Sequence, residues 1–285
     1  MENNFELTQV SNNTVIGSHE AGRSNAGAVI LKDFIVAMDC TMWPRTARLF
    51  REKLEDQFQL PVKYLFVTHS HGDHVMGLTA FKDITMFSSA QLQESLSRRM
   101  QNQWTPEQME EMKGSGLAPA DWIDEVEFII PPILFHQHME ILNAQQNIEF
   151  HHSAGHADDS AWAYFPDEKV LFSGDLIFAN MFPYAGDDTC DPEKWMAVLR
   201  TWLDMPIDKL VPGHGPVMGL EVVEQTLKLF EQLKKNTKDV IAKNGSSEDI
   251  KIPDTVEISD ESQWMVKKTL DHWIQFYAKN NKQHV

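Results

Sequence analysis

Only two cysteines, Cys40 and Cys190, occur among 285 residues. A disulfide framework is therefore excluded, and thiol content leaves the redox compartment open. Basic side chains are also scarce: 25 lysines and arginines stand against 42 acidic residues, a formal charge of −17. That balance argues against a polyanion-binding surface, so nucleic acid is not an expected partner. No apolar run approaches the ~20 residues that a membrane-crossing helix needs, and Met1-Glu2-Asn3-Asn4 lacks the basic segment and apolar stretch of a secretory leader. The expectation is a cytoplasmic protein with no membrane partner. Internal repeats are absent too. What is present is a globular composition, 42% hydrophobic and 24% charged, at a length that suits one domain spanning 1–285 with decorations.

Against these absences, Thr68-His69-Ser70-His71-Gly72-Asp73-His74 packs four metal-competent side chains into six residues. The stretch directly follows Tyr64-Leu65-Phe66-Val67, an apolar run that reads as a buried strand bounded upstream by Pro61. In extended backbone His69 and His71 point the same way, while Gly72 lets the chain turn so that Asp73 and His74 face a second point nearby. The geometry suits two adjacent ions better than one. Burying three imidazoles and a carboxylate without a cation would leave polar groups that are hard to satisfy.

Around this stretch the sequence predicts short strands at Phe5 to Val10, Thr14 to Ile16, Ala28 to Leu31 and Phe34 to Met38, an antiparallel meander interrupted by the polar loop Gly17 to Gly27. Pro44 opens a helix running to about Phe58, with Ala47, Phe50, Leu54 and Phe58 on one face, and the strand Val62 to Val67 follows. A short strand spans Ile84 to Phe87. Residues 89–124 then read as a helical insertion at the sheet edge, with Thr105 capping a helix that begins at Pro106. Its Met and Trp side chains either line an apolar pocket as a lid or pack as an ordinary helix stripe. Beyond Pro131-Pro132, strands are expected at Ile133 to His138, Ile148 to His152, Ala161 to Phe165 and Lys169 to Ser173, with a loop from Leu176 to Asp188. Asp191 starts a helix covering Trp195 to Leu203, and Lys209 to Val211 forms the next strand. A helical tail of two amphipathic helices, Leu220 to Lys243 and Glu261 to Ala278, occupies about 219–285. His136, His138, His151 and His152 are read as structural or surface residues.

The H-x-H-x-D-H motif resembles the signature of the metallo-β-lactamase-fold hydrolase superfamily. Further elements of that signature follow in order: Ala154-Gly155-His156, Phe172-Ser173-Gly174-Asp175 and Val211-Pro212-Gly213-His214-Gly215, with Met38-Asp39 matching an early supporting aspartate. The resemblance implies an α/β fold, a four-layer αβ/βα sandwich. It also implies that His69, His71 and His156 hold one ion, that Asp73, His74 and His214 hold the other, and that Asp175 bridges them, with Asp73 and Asp175 as catalytic carboxylates. Those donors suit two divalent ions, zinc first, with iron or manganese fitting the same set.

On this resemblance the chain is expected to be a binuclear metallo-hydrolase that uses a metal-bound hydroxide to cleave a small ester, thioester, lactone or amide, β-lactamase-like activity included. The expected partner is a small-molecule substrate, and a homodimer is left open. His19 and Arg23 in the polar loop, and Phe178, Met181 and Tyr184 after the bridging aspartate, are candidates for touching the substrate. Asp175 stands where some β-lactamases carry cysteine, which places the resemblance nearer the thioesterase, lactonase and phosphodiesterase branches. No arginine follows Arg200, which departs from the glutathione-binding glyoxalase II pattern. Two other readings stand beside hydrolysis: a mononuclear non-haem iron oxygenase of the same fold, and a non-catalytic metal- or ligand-binding protein.

Overall fold

The computed structural model describes residues 5–18, 24–253, 258 and 262–281. His19 and Arg23 lie outside the described residues. The amino-terminal meander forms as expected from its alternating apolar runs: β1 (Glu6–Ser11), β2 (Thr14–Ser18), β3 (Ala26–Ile30) and β4 (Ile35–Met38) pair antiparallel in sequence order. Helix α1 (Pro44–Phe58) starts with Pro44 in its first turn, where a missing N–H costs nothing, and ends at Gln59 in the left-handed region. It crosses over to β5 (Val62–Val67), which lies parallel to β4. The cluster-bearing turn leads into the single-turn helix α2 (Gly72–Val75), a 3₁₀ segment at Met76–Phe81, and β6 (Thr85–Ser89).

Residues 89–124 are helical: α3 (Ala90–Asn102), α4 (Pro106–Gly114) and α5 (Ala120–Ile123). Thr105 and Gln108 close a reciprocal capping box on α4. Strand β7 (Ile133–Phe135) then completes a seven-stranded sheet in the order β1 to β7.

The second sheet holds β8 (His138–Asn143), β9 (Gln146–His152), β10 (Ala161–Phe165), β11 (Val170–Phe178) and β12 (Lys209–His214), in the order β12-β11-β10-β9-β8. Its strands pair antiparallel except β11 with β12, which run parallel across the helix α6 (Pro192–Leu203). Two expectations are corrected here. The strand drawn through His138 ends at Phe135, and a separate hairpin strand begins at His138. Likewise Leu176-Ile177-Phe178, expected in a loop, continues β11.

Alternation along the strands sorts side chains into layers. Val29, Val36, Phe66, Phe150, Phe165 and Phe172 meet between the two sheets. On the far side of the first sheet Ala28, Ile35 and Leu65 pack against Ala47, Phe50 and Leu54 of α1. On the far side of the second, Leu171 and Leu210 pack beneath α6, α7 (Glu221–Ala242) and α8 (Gln263–Asn281), where Trp195, Phe230 and Trp273 make edge-on aromatic contacts at 4.8 and 5.3 Å. The result is a four-layer αβ/βα sandwich. None of its described helices is long and apolar enough to cross a membrane.

Candidate metal centre

Donor side chains converge where strand ends of the two sheets meet. His69 and His71 leave the carboxyl end of β5, and the turn at Gly72 places Asp73 and His74 in α2. From the second sheet, His156 sits on the loop after β9, Asp175 in β11 and His214 at the end of β12. Three backbone devices hold that seam: Thr68 O accepts from Ala161 N at 2.9 Å, Gly213 O accepts from Asn25 N at 2.8 Å, and the Asn25 amide donates to Pro212 O and Gly215 O at 2.9 and 2.8 Å. The His156 loop needs positive φ at Ala154 (57°) and Gly155 (135°), and a side chain at Gly155 would press on Leu176 and the Trp195 backbone.

One ligand atom from each of His69, His71, His156 and Asp175 falls within 4.8 Å of the others, and the same holds for Asp73, His74 and His214. Asp175 faces both groups. Its Oδ2 lies 3.6 Å from His69 Nε2, 3.5 Å from His156 Nε2 and 3.3 Å from His214 Nε2, and its Oδ1 is 3.1 Å from His74 Nε2. Asp73 Oδ2 lies 3.2 Å from His214 Nε2.

Four of the imidazoles are oriented by their outer nitrogens. His156 Nδ1 donates to Tyr184 O at 2.8 Å, and His74 Nδ1 donates to Asp39 Oδ2 at 2.8 Å. Thr68 Oγ1 donates to Asp39 at 2.8 Å, which leaves it to accept from His69 Nδ1 at 3.0 Å. His71 is turned the other way: its Nε2 donates to Asp187 Oδ2 at 2.9 Å, so its Nδ1 faces the cluster, 2.8 Å from His156 Nε2. These tautomers follow from the partners. In the neutral rings the inward nitrogens of these four are therefore the ones that offer lone pairs, the form in which imidazole binds a cation.

The residues fit a bound metal. Among buried polar atoms, His69 Nε2, His74 Nε2 and Asp175 Oδ1 have no hydrogen-bond partner, an arrangement that is costly unless a cation satisfies them. Electrostatics agree. Burial, with the neighbouring His71, pushes His156 down to about 3 and so keeps it neutral. At His214 burial opposes the charged form, but Asp175 and Asp73 outweigh it and raise the group to about 10. Asp175 itself is drawn well below the usual carboxylate range, its burial overcome by His214, His74 and His69. A point where carboxylates hold a proton so firmly on imidazole is a point of negative potential, and it attracts a metal cation equally.

Gly213 gives a direct test of this packing. A Cβ there would fall on Asp175 Oδ1 and press on the Gly174 carbonyl carbon, so Gly213→Ala is expected to displace Asp175 and cost about tenfold or more in metal affinity while the chain still folds. Metal titration monitored beside circular dichroism reads both; unchanged affinity would mean that Asp175 does not bind metal.

Asp39 supports Thr68 and His74 from outside the converging atoms, as expected. Phe178 stacks on His214 at 5.1 Å, and the Tyr184 ring lies 6.1 Å from both His71 and His156. Met181, half-buried, packs against the core beneath α6 to α8, as Tyr184 also does. In the insertion Trp104, Met109 and Met112 pack around Trp43 and Ile123, the helix-packing arrangement, and the Trp104 ring lies within 3.6 Å of where a Gly72 side chain would start.

Two contributors escaped the sequence reading. Asp187 orients His71 and also accepts from buried Arg99 of α3, which donates from Nε to Ser70 Oγ at 2.9 Å. Burial pushes the Asp187 carboxyl up, but the hydrogen bond and charge of His71 and the Arg99 guanidinium hold it well below the usual range. Arg99 had a visible signal. It continues the stripe Leu92, Leu96 at helical spacing, so a charge was due to be buried there. Nothing in the spacing separates Asp187 from Asp188.

The family model of the metallo-β-lactamase superfamily matches residues 20–214, from before β3 to the last candidate histidine. Among curated proteins, the chain is 28% identical over 210 residues to a linear primary-alkylsulfatase of a Pseudomonas strain, covering 64% of this chain and 38% of that one. It is 25% identical to a β-lactamase-like protein 2 homolog of Caenorhabditis elegans (72% and 60% covered) and 23% identical to the human acyl-coenzyme A thioesterase MBLAC2 (60% and 62%). The chain thus spans less than two thirds of each of these relatives. The metallo-β-lactamase of Pontibacter korlensis superposes over 80% of this chain and 99% of its own with a TM-score of 0.63 at 20% identity, a likeness of fold. With its family model spanning the whole donor set and its sandwich shared with solved members, the chain belongs to the metallo-β-lactamase superfamily.

Proposed function

We propose that the protein is a binuclear hydrolase of a small ester or thioester carrying an apolar chain, with lactones and amides as chemically neighbouring substrates. The observation that carries this reading is the inward-facing set of ring nitrogens of His69, His71, His74 and His156 around a carboxylate, Asp175, that approaches both donor groups. His69, His71 and His156 would hold one ion; Asp73, His74 and His214 the other. The donors, imidazole and carboxylate without thiolate, favour zinc, and iron or manganese fit the same set.

Two divalent ions held by these residues would supply a water whose pKa is lowered towards about 7 and would polarise the substrate's carbonyl oxygen. The chain's own residues do the rest. Asp39, Thr68, Asp187 and the Tyr184 carbonyl lock the imidazoles, so that little reorganisation is needed at the moment of reaction. Asp73 and Asp175 supply the negative charge that retains cations. Phe178, Tyr184 and Trp104 surround the centre with apolar surface, which excludes water and seats an alkyl or acyl chain. The relatives whose names state an alkylsulfatase and an acyl-coenzyme A thioesterase support ester and thioester cleavage next to such a chain. The proposal places a small-molecule hydrolase in the cytoplasm, with the helical insertion as part of one domain.

The test is a panel of ester, thioester, lactone, β-lactam and phosphodiester substrates, assayed with zinc, manganese or iron restored to stripped protein. Turnover of esters or thioesters rising with acyl length is expected. One iron per chain with oxygen consumption, or silence across the panel with metal bound, would overturn the reading. Within the panel, Trp104→Ala is expected to raise KM for long-chain substrates by about tenfold, the value of burying part of a large aromatic surface, and to leave short-chain turnover nearly unchanged. An equal effect on both chain lengths would remove Trp104 from the substrate's path.

A further inference from the structure

The hairpin of β8 and β9 carries mirrored sequences, His138-Met139-Glu140 and Glu149-Phe150-His151. Antiparallel register sets His138 opposite His151 and Glu140 opposite Glu149. Met139 and Phe150 face the core between the sheets, so the two histidines and two glutamates share the outer face. There the imidazoles of His138 and His151 stand 4.6 Å apart, and His151 lies stacked 4.1 Å over buried Trp162, its cross-strand neighbour on β10. One donor atom from each of His138, Glu149 and His151 falls within 4.8 Å of the other two. Glu149 Oε2 is 3.3 Å from His151 Nε2, and Glu140 Oε1 is 3.5 Å from His138 Nε2.

We propose that His138, Glu149 and His151 form a separate divalent transition-metal site, for zinc or copper(II), that clamps the edge strand β8 to β9. Two imidazoles and a carboxylate are a donor set used for zinc with a fourth position open; in tetrahedral coordination donors about 2.0–2.1 Å from the ion sit about 3.3–3.4 Å apart, so the donors that here fall within 4.8 Å of one another must draw in. Rotation of the exposed His138 side chain closes that difference. Trp162 holds the His151 ring in place, which reduces the ordering cost of binding. Glu140 adds a second carboxylate at the margin, available to the open position or to a coordinated water. The clamp has a structural purpose, since β8 is an edge strand paired on one side alone, and a metal bridge to β9 fixes its register.

The experiment uses full-length protein equilibrated with chelator-buffered zinc. Bound zinc per chain is counted for wild type, His138→Ala and Glu149→Gln, both changes lying on the outer face and away from the candidate centre at the strand ends. Wild type is expected to hold one zinc more than either variant. The lost ion should bind at least the ~10–100-fold more weakly that removal of even a supporting partner costs a metal site. Hydrogen exchange of β8 amides should slow on zinc addition in wild type and not in the variants. Equal zinc counts in all three proteins, or β8 exchange that ignores zinc in wild type, would overturn the site. Neither readout depends on hydrolytic activity.

Discussion

On the proposed binuclear reading, Asp175→Ala is expected to take the strand-end centre from two metal ions towards one and to lower turnover by several orders of magnitude. The carboxylate approaches donors of both groups, from 3.1 Å at His74 to 3.6 Å at His69. Its loss removes an anion from each. The group of Asp73, His74 and His214 keeps three donors, one of them the more exposed carboxylate, while the three-histidine group keeps its three imidazoles, with His69 and His156 held neutral by burial. The first should therefore empty before the second. A single ion lowers the pKa of water less than a pair does, and catalysis falls accordingly. The fold should survive, because the sandwich rests on apolar layers that do not include Asp175. Metal analysis with a steady-state assay decides. Two ions still held tightly at the strand-end centre, counted in a His138→Ala background, with near-normal turnover would show that Asp175 does not bridge.

Arg99→Met should be the most destabilising change outside the metal donors. Arg99 and Asp187 are 9% and 8% exposed at their side chains, and removing one partner of a buried pair typically costs about 3–5 kcal/mol because the other charge is stranded. Asp187 would keep His71 and Thr189 as partners, so the lower end of that range is expected in urea unfolding. Asp187→Asn strands Arg99 instead and also loosens His71, which should weaken metal binding by about 10–100-fold. The double variant separates the two roles. With neither charge left, stability should recover by at least half while metal affinity stays low. A single Arg99→Met protein as stable as wild type would show that the pair contributes nothing to the fold.

Legibility in the sequence followed the physics of each signal. The boundaries of α1, β5 and β10 were readable because Pro44, Pro61 and uninterrupted apolar runs mark them on a single chain segment. The end of β11 was not. Val170–Phe178 is buried along its whole length, and a strand covered on both faces has no alternation to distinguish it from an apolar loop. The hairpin at His138 was missed for a different reason: the chain reverses at Asn143 to Gln146 through Ala144 at positive φ, with no glycine or proline to announce it. At the centre, spacing alone exposed His69, His71, Asp73 and His74, since local backbone geometry brings them together. His156, Asp175 and His214 converge only through sheet pairing, so their roles were expected from resemblance. Asp187 depends on a loop conformation that no local pattern encodes.

The seam across which the donors gather couples ion occupancy to the lifetime of the folded chain. Four of the candidate donors hang from the first sheet and three from the second, so an ion shared between them is a cross-link between halves that otherwise meet through apolar side chains and hydrogen bonds such as those of Glu168 with Asn13 and Asn25 with Pro212. An ion that binds the native state alone stabilises it by about 2.7 kcal/mol when free metal is a hundredfold above Kd. Chelation should lower the melting temperature in proportion to ln[metal], and the susceptibility of the stripped chain to proteolysis should rise with it. In a cell poor in that metal, the protein would then be cleared as well as silenced, its abundance tracking metal supply.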